Sequence, residues 1–201
     1  KFDDYVNNQI DRNGYMNYLG IKDRSRKNIL YAPTWRWGDG TLQKYGKQFC
    51  KELDGEFNLI IRPHFHDRRH ILPLKFWAKS NGLNNVYFSN PAKILKNNSM
   101  YDFAISDLMI SDTSSIIYEY LITKNPIIIA DNNYKDLHKM PSDLNILDLA
   151  KKYYGKNLSS LVSAELSSNS RSNYETLLNN CFYFNDGKSS KRASDFVLSL
   201  N

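Results

Sequence analysis

The sequence predicts an α/β protein with a parallel sheet covered by helices. Three observations carry that prediction. Strand-like apolar runs alternate with helical segments from residue 28 to residue 131. One stretch, DLMISDTSSIIYEYLITKNPIIIAD at 107–131, reads as strand, polar turn, helix and strand in succession. Clusters of polar residues follow the strand-like runs at what would be their carboxyl ends. Alternating strands and helices imply right-handed crossovers between parallel strands. In such sheets ligands sit beyond the carboxyl ends.

Each element has a local justification. Residues 1–26 form a polar lead-in, with Asp11-Arg12-Asn13-Gly14 as a turn signal and a basic run at 22–27. Residues 28–32 are a first strand, ended by Pro33 and followed by a loop through Gly38-Asp39-Gly40. Thr41 can cap a helix that runs to Leu53, where Asp54-Gly55 breaks it. Residues 57–62 are a second strand ended by Pro63, with a polar loop carrying His66, Asp67, Arg68, Arg69 and His70. A helix is expected over 74–80, a third strand over 86–88, and one or two helices between 92 and 104. The 107–131 stretch supplies two more strands, 108–110 and 127–129. Beyond Asn132-Asn133-Tyr134, read as loop, helical patterns recur at 144–153, 158–166, 171–181 and 191–200, with 167–172 as a polar connection.

Composition narrows the classes. In 201 residues, 41% are hydrophobic and 24% charged, as in an ordinary globular chain. No apolar run approaches the length needed to cross a bilayer, and the start lacks a signal-peptide core. Cys50 and Cys181 lie far apart and outside any metal-binding spacing, which suits a reducing cytosol. The net charge of +6 is compatible with nucleic acid, an anionic membrane surface or an anionic substrate. Its cations are spread along the chain and no nucleic-acid module is recognisable, so nucleic acid is not expected as a partner.

Three constellations fall at one sheet edge: Thr34–Arg36, Arg62–His64 and Ser111–Ser115. The guanidinium of Arg36 suits a phosphate, although an isolated arginine more often makes a surface salt bridge. Trp35 and Trp37 beside it read as core or as a stacking platform. Arg62-Pro63-His64 puts a cation and an imidazole at a strand end, where His64 can donate to a phosphate or protonate a leaving group, or serve merely as a loop residue. Thr113, Ser114 and Ser115 set hydroxyls at a helix start whose N–H groups have no intrahelical partner and favour an anion; the same residue types are ordinary caps. Glu119 lies four residues after Ser115, on the same helix face, where a carboxylate can accept from two ribose hydroxyls or stand exposed. A zinc reading of His64, His66 and His70 lacks cysteine or paired-carboxylate support. Neither GxGxxG nor GxxxxGK[ST] occurs.

Together these residues resemble one family. Residues 29–36, ILYAPTWR, are similar to the strand-and-turn segment of the CDP-glycerol glycerophosphotransferases, which include teichoic-acid and capsule polymerases. Arg62-Pro63-His64 resembles the family's basic-x-His segment. Residues 111–120 resemble its SDYSSxxFDY segment, and Lys124-Asn125-Pro126 the turn after it. The matches cover 28–131 in the family's order. The resemblance implies the Rossmann-like carboxyl-terminal half of a GT-B fold, with 1–26 as linker, 27–150 as the donor-binding domain and 151–201 as a helical extension packing on it. It implies transfer of glycerol phosphate, or another polyol phosphate, from a CDP-activated donor to a lipid-linked or polymer acceptor, with release of CMP. The setting implied is the cytoplasm, peripheral on the inner face of the membrane. Arg62 and His64 would contact the donor phosphates, with His64 in the catalytic role. Thr113, Ser114 and Ser115 would cradle the pyrophosphate with Thr34 and Arg36 beside them, and Glu119 would hold the ribose. No cofactor is called for, and a metal requirement stays open. Thr113 replaces a frequent Tyr and Glu119 a frequent Asp. The family's HGTP segment, whose histidine is proposed as general base, has no match here, so the chain is expected to bind donor without turning it over alone. The competing readings are another GT-B enzyme, such as a UDP-N-acetylglucosamine 2-epimerase or sugar transferase, and a non-catalytic module docking on membrane or polymer.

Overall fold

The computed structural model describes residues 2–35, 37, 40–93, 98–132, 140–168 and 173–200. Among them six strands form one sheet in the order β3-β2-β1-β4-β5-β6: β1 Asn28–Tyr31, β2 Asn58–Ile61, β3 Val86–Phe88, β4 Leu108–Ser111, β5 Ile127–Ala130 and β6 Lys151–Tyr153. Every neighbouring pair is parallel, with Leu30 opposite Ile60 on one side and Met109 on the other. The first five strands stand where the apolar runs put them.

Side chains alternate across a strand, so each strand feeds two cores. Leu30, Ile60, Met109, Ile127 and Ile129 point to one face. There they meet helices α2 (Arg12–Leu19), α5 (Ser99–Ile105), α6 (Ile116–Tyr120) and α8 (Asn173–Cys181) through Tyr15, Phe103, Tyr120 and Leu177. Ile29, Tyr31, Leu59, Ile61, Ile110 and Ile128 point to the other face. That face is covered by α3 (Leu42–Leu53) and α7 (Leu158–Ser167), through Phe49, Leu53, Leu158 and Val162, with α4 (Ile71–Ser80) at its margin. Burial on both faces explains why β1, β2, β4 and β5 are nearly continuous apolar runs rather than alternating ones.

Two expectations are corrected. The lead-in is folded: beyond a single turn, α1 (Asp3–Val6), it contains α2, capped by Asp11, which accepts from the Gly14 N–H at 2.8 Å, and ended by Gly20 in the left-handed region at φ 81°. Asn13 and Gly14 are poor helix formers, which is why the segment reads as a turn. Burial of Tyr15 and Ile21 overrides that local preference. The helix expected over 144–153 is absent. Two short 3-10 turns, Ser142–Leu144 and Ile146–Asp148, lead instead into β6. Lys151-Lys152-Tyr153 has no apolar run, and its strand identity comes from pairing with β5. The polar loop after Pro63 is a 3-10 turn, Phe65–His70, running directly into α4. The remaining helical expectations correspond to α7, α8 and α9 (Ser189–Leu198). Asn133, Tyr134, Gly38, Asp39 and most of the 167–172 connection lie outside the described residues.

Candidate functional site

The strand order reverses direction between β1 and β4, and a crevice opens beyond the carboxyl ends of strands at such a point. A cleft of about 370 Å³ lies there. Its wall is drawn from separate loops: Ala32 and Pro33 after β1, Arg62, His64 and Phe65 after β2, and Ser114, Ser115 and Glu119 after β4. The sheet thus brings together five of the sequence-selected residues. Thr34 and Thr113 do not line the cleft, and Arg36 lies outside the described residues.

Thr34 and Thr113 act one layer back, through Asp112. This carboxylate is fully buried. Its Oδ1 accepts from the backbone N–H of Thr34 at 2.8 Å and of Thr113 at 2.7 Å. Its Oδ2 accepts from the N–H of Thr41 at 2.8 Å and the Thr41 hydroxyl at 2.9 Å. With that hydroxyl proton committed, the Tyr31 hydroxyl donates to Thr41 Oγ1 at 2.8 Å. Thr41 therefore stands at the start of α3 but makes no side-chain cap to its own helix. Ser111 adds a bond from its hydroxyl to the Ala32 carbonyl at 2.6 Å. One carboxylate so joins the loop after β1, the start of α3 and the loop after β4. Burial pushes the Asp112 carboxyl up from the ordinary value, and the bonds from Thr34, Thr41 and Thr113 oppose that shift. Gly40 belongs to the same knot: its N–H donates to the Trp35 carbonyl at 3.0 Å, and a Cβ there would overlap the Thr34 carbonyl.

Pro63 ends β2 and keeps Arg62 extended, which delivers His64 to the strand end. His64 precedes the 3-10 turn, and its Nδ1 accepts from the His66 N–H at 3.3 Å. That bond leaves the proton of the neutral ring on Nε2. Partial burial, then the neighbouring His66, push the His64 pKa down from its ordinary value, against a smaller opposing effect of Asp67. The ring is therefore a neutral hydrogen-bond donor at neutral pH. Trp35 packs beside it, with ring centroids 5.1 Å from His66 and 6.1 Å from His64.

After β4 the chain turns into α6. Ser115 makes no side-chain cap, and the Ser114 hydroxyl receives only a long bond from the Ile116 N–H, 3.4 Å. Ile117 and Tyr118 donate to the Ser114 and Ser115 carbonyls. Glu119 follows one turn later, in the same wall. The cleft thus combines hydroxyls, an imidazole, a guanidinium and a carboxylate, a set suited to phosphate oxygens and a neighbouring diol. Two buried groups behind Arg62, Ser89 and Asp102, had no signal in sequence, since their partners lie far away along the chain.

Asp112→Ala leaves buried N–H donors unpaired at about 1–3 kcal/mol each, so urea unfolding should show a total loss on the order of 3–5 kcal/mol. Loss below about 1 kcal/mol would mean that the knot is dispensable. For His64, NMR titration should give a midpoint below the ordinary histidine value, with the Nε2–H tautomer above it. Because the folded value is depressed, its contribution to stability is present above the unfolded value and is lost as pH falls through the folded one. His64→Gln should remove that part of the pH dependence.

A model of the family described as CDP-glycerol:poly(glycerophosphate) glycerophosphotransferase matches residues 1–199. Teichoic acid poly(glycerol phosphate) polymerase of Staphylococcus epidermidis is 31% identical over 113 residues, which is 50% of this chain and 14% of that protein. The solved wall teichoic acid polymerase TagF superposes with a TM-score of 0.65 at 22% identity, over 98% of this chain and 49% of that one. The C-terminal domain of the group 1 glycosyl transferase LpcC from Francisella tularensis gives 0.53 at 13% identity, over 85% of this chain and 92% of that domain. The chain therefore spans about half the length of the TagF structure and a small fraction of the curated polymerase. At these identities the structural likenesses establish the fold alone, the α/β fold of one half of a GT-B architecture. With residues 1–199 of this chain matched by the family model, the chain belongs to the CDP-glycerol:poly(glycerophosphate) glycerophosphotransferase family.

Proposed function

We propose that this chain is the donor-binding half of an enzyme that transfers polyol phosphate from a CDP-activated polyol, CDP-glycerol first among them, to a teichoic-acid or capsule polymer. The observation that carries the reading is the convergence of Arg62, His64, Ser114, Ser115 and Glu119 on one cleft at the β1/β4 crevice. In the transfer, an acceptor hydroxyl forms a bond to the phosphorus that bears the polyol. The bond from that phosphorus to the bridging oxygen breaks, CMP leaves with the electron pair, and the acceptor proton passes to a base. Arg62, Ser114 and Ser115 would bind the two phosphates, with Thr34, Thr113 and Arg36 supporting them. The Nε2–H of His64 would donate to the phosphate oxygen on which charge grows as CMP departs. Glu119 would accept from the ribose hydroxyls. The family match weighs against the epimerase-type reading.

Calorimetric titration with CDP-glycerol, CMP and UDP-N-acetylglucosamine should show selective cytidine-nucleotide binding. Ser115→Ala and His64→Ala should each weaken it about 10- to 100-fold, the scale of a hydrogen bond to a charged group. His64→Gln should recover part of the loss, since a neutral N–H donor remains. Preference for the uridine ligand would sink the assignment.

The same reading puts the enzyme at the inner face of the membrane, where a lipid-linked acceptor would be reached. No helix among the described residues is long and apolar enough to cross a membrane. Support for surface docking comes from residues 65–79. Phe65, Leu72 and Phe76 are 43%, 64% and 72% exposed there, among the exposed cations Arg68, Arg69, Lys75 and Lys79. Apolar groups among cations suit an anionic bilayer surface. Vesicles containing phosphatidylglycerol should co-sediment the chain, phosphatidylcholine vesicles should not, and Leu72→Ser with Phe76→Ser should release it while CMP binding is retained. Equal sedimentation with both lipids would remove the electrostatic argument.

A further inference from the structure

Behind the cleft wall lies a second buried carboxylate. Asp102, on α5, is fully excluded from solvent. Its Oδ2 accepts from Arg62 Nη1 at 2.7 Å and from the Ser89 hydroxyl at 2.7 Å. Its Oδ1 accepts from the Tyr15 hydroxyl at 2.8 Å. Arg62 Nη1 also donates to Ser89 Oγ at 3.0 Å. The four groups come from α2, the residue after β2, the residue after β3, and α5. Of the four, Arg62 alone lines the cleft.

A buried ion pair is weak evidence for stability, because apolar residues of the same volume do as well or better. The place of this pair points to another role. A free arginine side chain carries about 2 kcal/mol of rotamer entropy, which a ligand must overcome when it immobilises the group. Anchoring one terminal nitrogen inward, before any ligand arrives, removes that cost from binding. Asp102 also offsets the Arg62 charge, so the guanidinium acts through the direction of its N–H groups more than as a mobile cation. Burial pushes the Asp102 carboxyl up, while Arg62 and the bonds from Ser89 and Tyr15 hold it down. Burial and the Asp102 charge push the Tyr15 hydroxyl up, so it stays a donor.

We propose that Asp102, itself held by Tyr15 and Ser89, is the positioning residue for Arg62, fixing the guanidinium plane in the cleft wall so that phosphate oxygens of the ligand meet preset N–H donors. The proposal rests on reading the cleft as a phosphate site. It predicts a dependence on the ligand's phosphates that a general distortion of the cleft would not produce.

The test uses the full chain with Tyr15→Phe, which removes one hydroxyl and keeps the ring packing, alongside Asp102→Asn. In the free protein, the Arg62 Nη1–H resonances, assigned by their absence in Arg62→Lys, should exchange slowly with water. Tyr15→Phe should speed that exchange roughly tenfold or more, the scale of one hydrogen bond to a charged group. In calorimetry both variants should lower CDP affinity roughly tenfold and leave cytidine, which has no phosphate, unchanged. Unchanged Arg62 exchange, or equal weakening of CDP and cytidine, would overturn the positioning role. If the unaltered chain binds neither CDP nor inorganic pyrophosphate, the phosphate reading of the cleft fails. The Arg62 exchange rates then still decide whether Asp102 fixes the guanidinium.

Discussion

The site depends on one buried charge. Asp112 is enclosed at the end of β4, where an unpaired carboxylate would be intolerable, and it is tolerated because four donors converge on it. Those donors lie on the loop after β1, at the first residue before α3 and on the loop after β4. Satisfying the charge therefore requires the three segments to meet at one point. The cleft is a consequence of that meeting. Ala32 and Pro33 reach it on one side of the knot, Ser114 and Ser115 on the other. The close approach of Gly40 to the Thr34 carbonyl shows how tightly the turn is drawn in.

The groups that face the cleft work by direction more than by net charge. Partial burial and the neighbouring His66 push the His64 pKa down, which favours its neutral ring. Arg62 is paired with Asp102. The excess of positive charge in the chain lies largely elsewhere, part of it on the exposed side chains of residues 68–79. A site built from oriented donors favours one arrangement of phosphate oxygens, whereas a patch of mobile lysines would attract any anion. The two buried carboxylates divide the labour: Asp112 holds the backbone of the loops, and Asp102 holds a side chain.

The covering layers are also uneven in what they do. α3 and α7 pack a dense aromatic and aliphatic face, with Tyr31, Tyr45, Phe49 and Tyr153 in mutual ring contact. The opposite layer, with α2 and α5, carries the polar network that reaches Arg62 through the core. The amino-terminal segment is thereby tied to the site: the Tyr15 hydroxyl is one hydrogen bond from the carboxylate that pairs with a cleft residue.

The sequence by itself determined the class of fold, because four strands buried on both faces must be written as nearly continuous apolar runs, and the turns between them as Gly, Pro and capping residues. It also singled out five residues that line the cleft. Arg62, His64, Ser114, Ser115 and Glu119 follow strand ends, and parallel strands place their carboxyl ends on one edge. Only the tertiary structure decided the rest. β6 is a strand because β5 offers it a pairing edge, since Lys151-Lys152-Tyr153 has no strand signal of its own. α2 is a helix against its own Asn and Gly because Tyr15 is buried. Asp112 stood inside the motif, yet its partners Thr34 and Thr41 lie 78 and 71 residues away, and Asp102 meets Arg62 across 40. Hydrogen bonds between distant residues leave no periodicity in a sequence, so which carboxylate holds which loop was settled by folding alone.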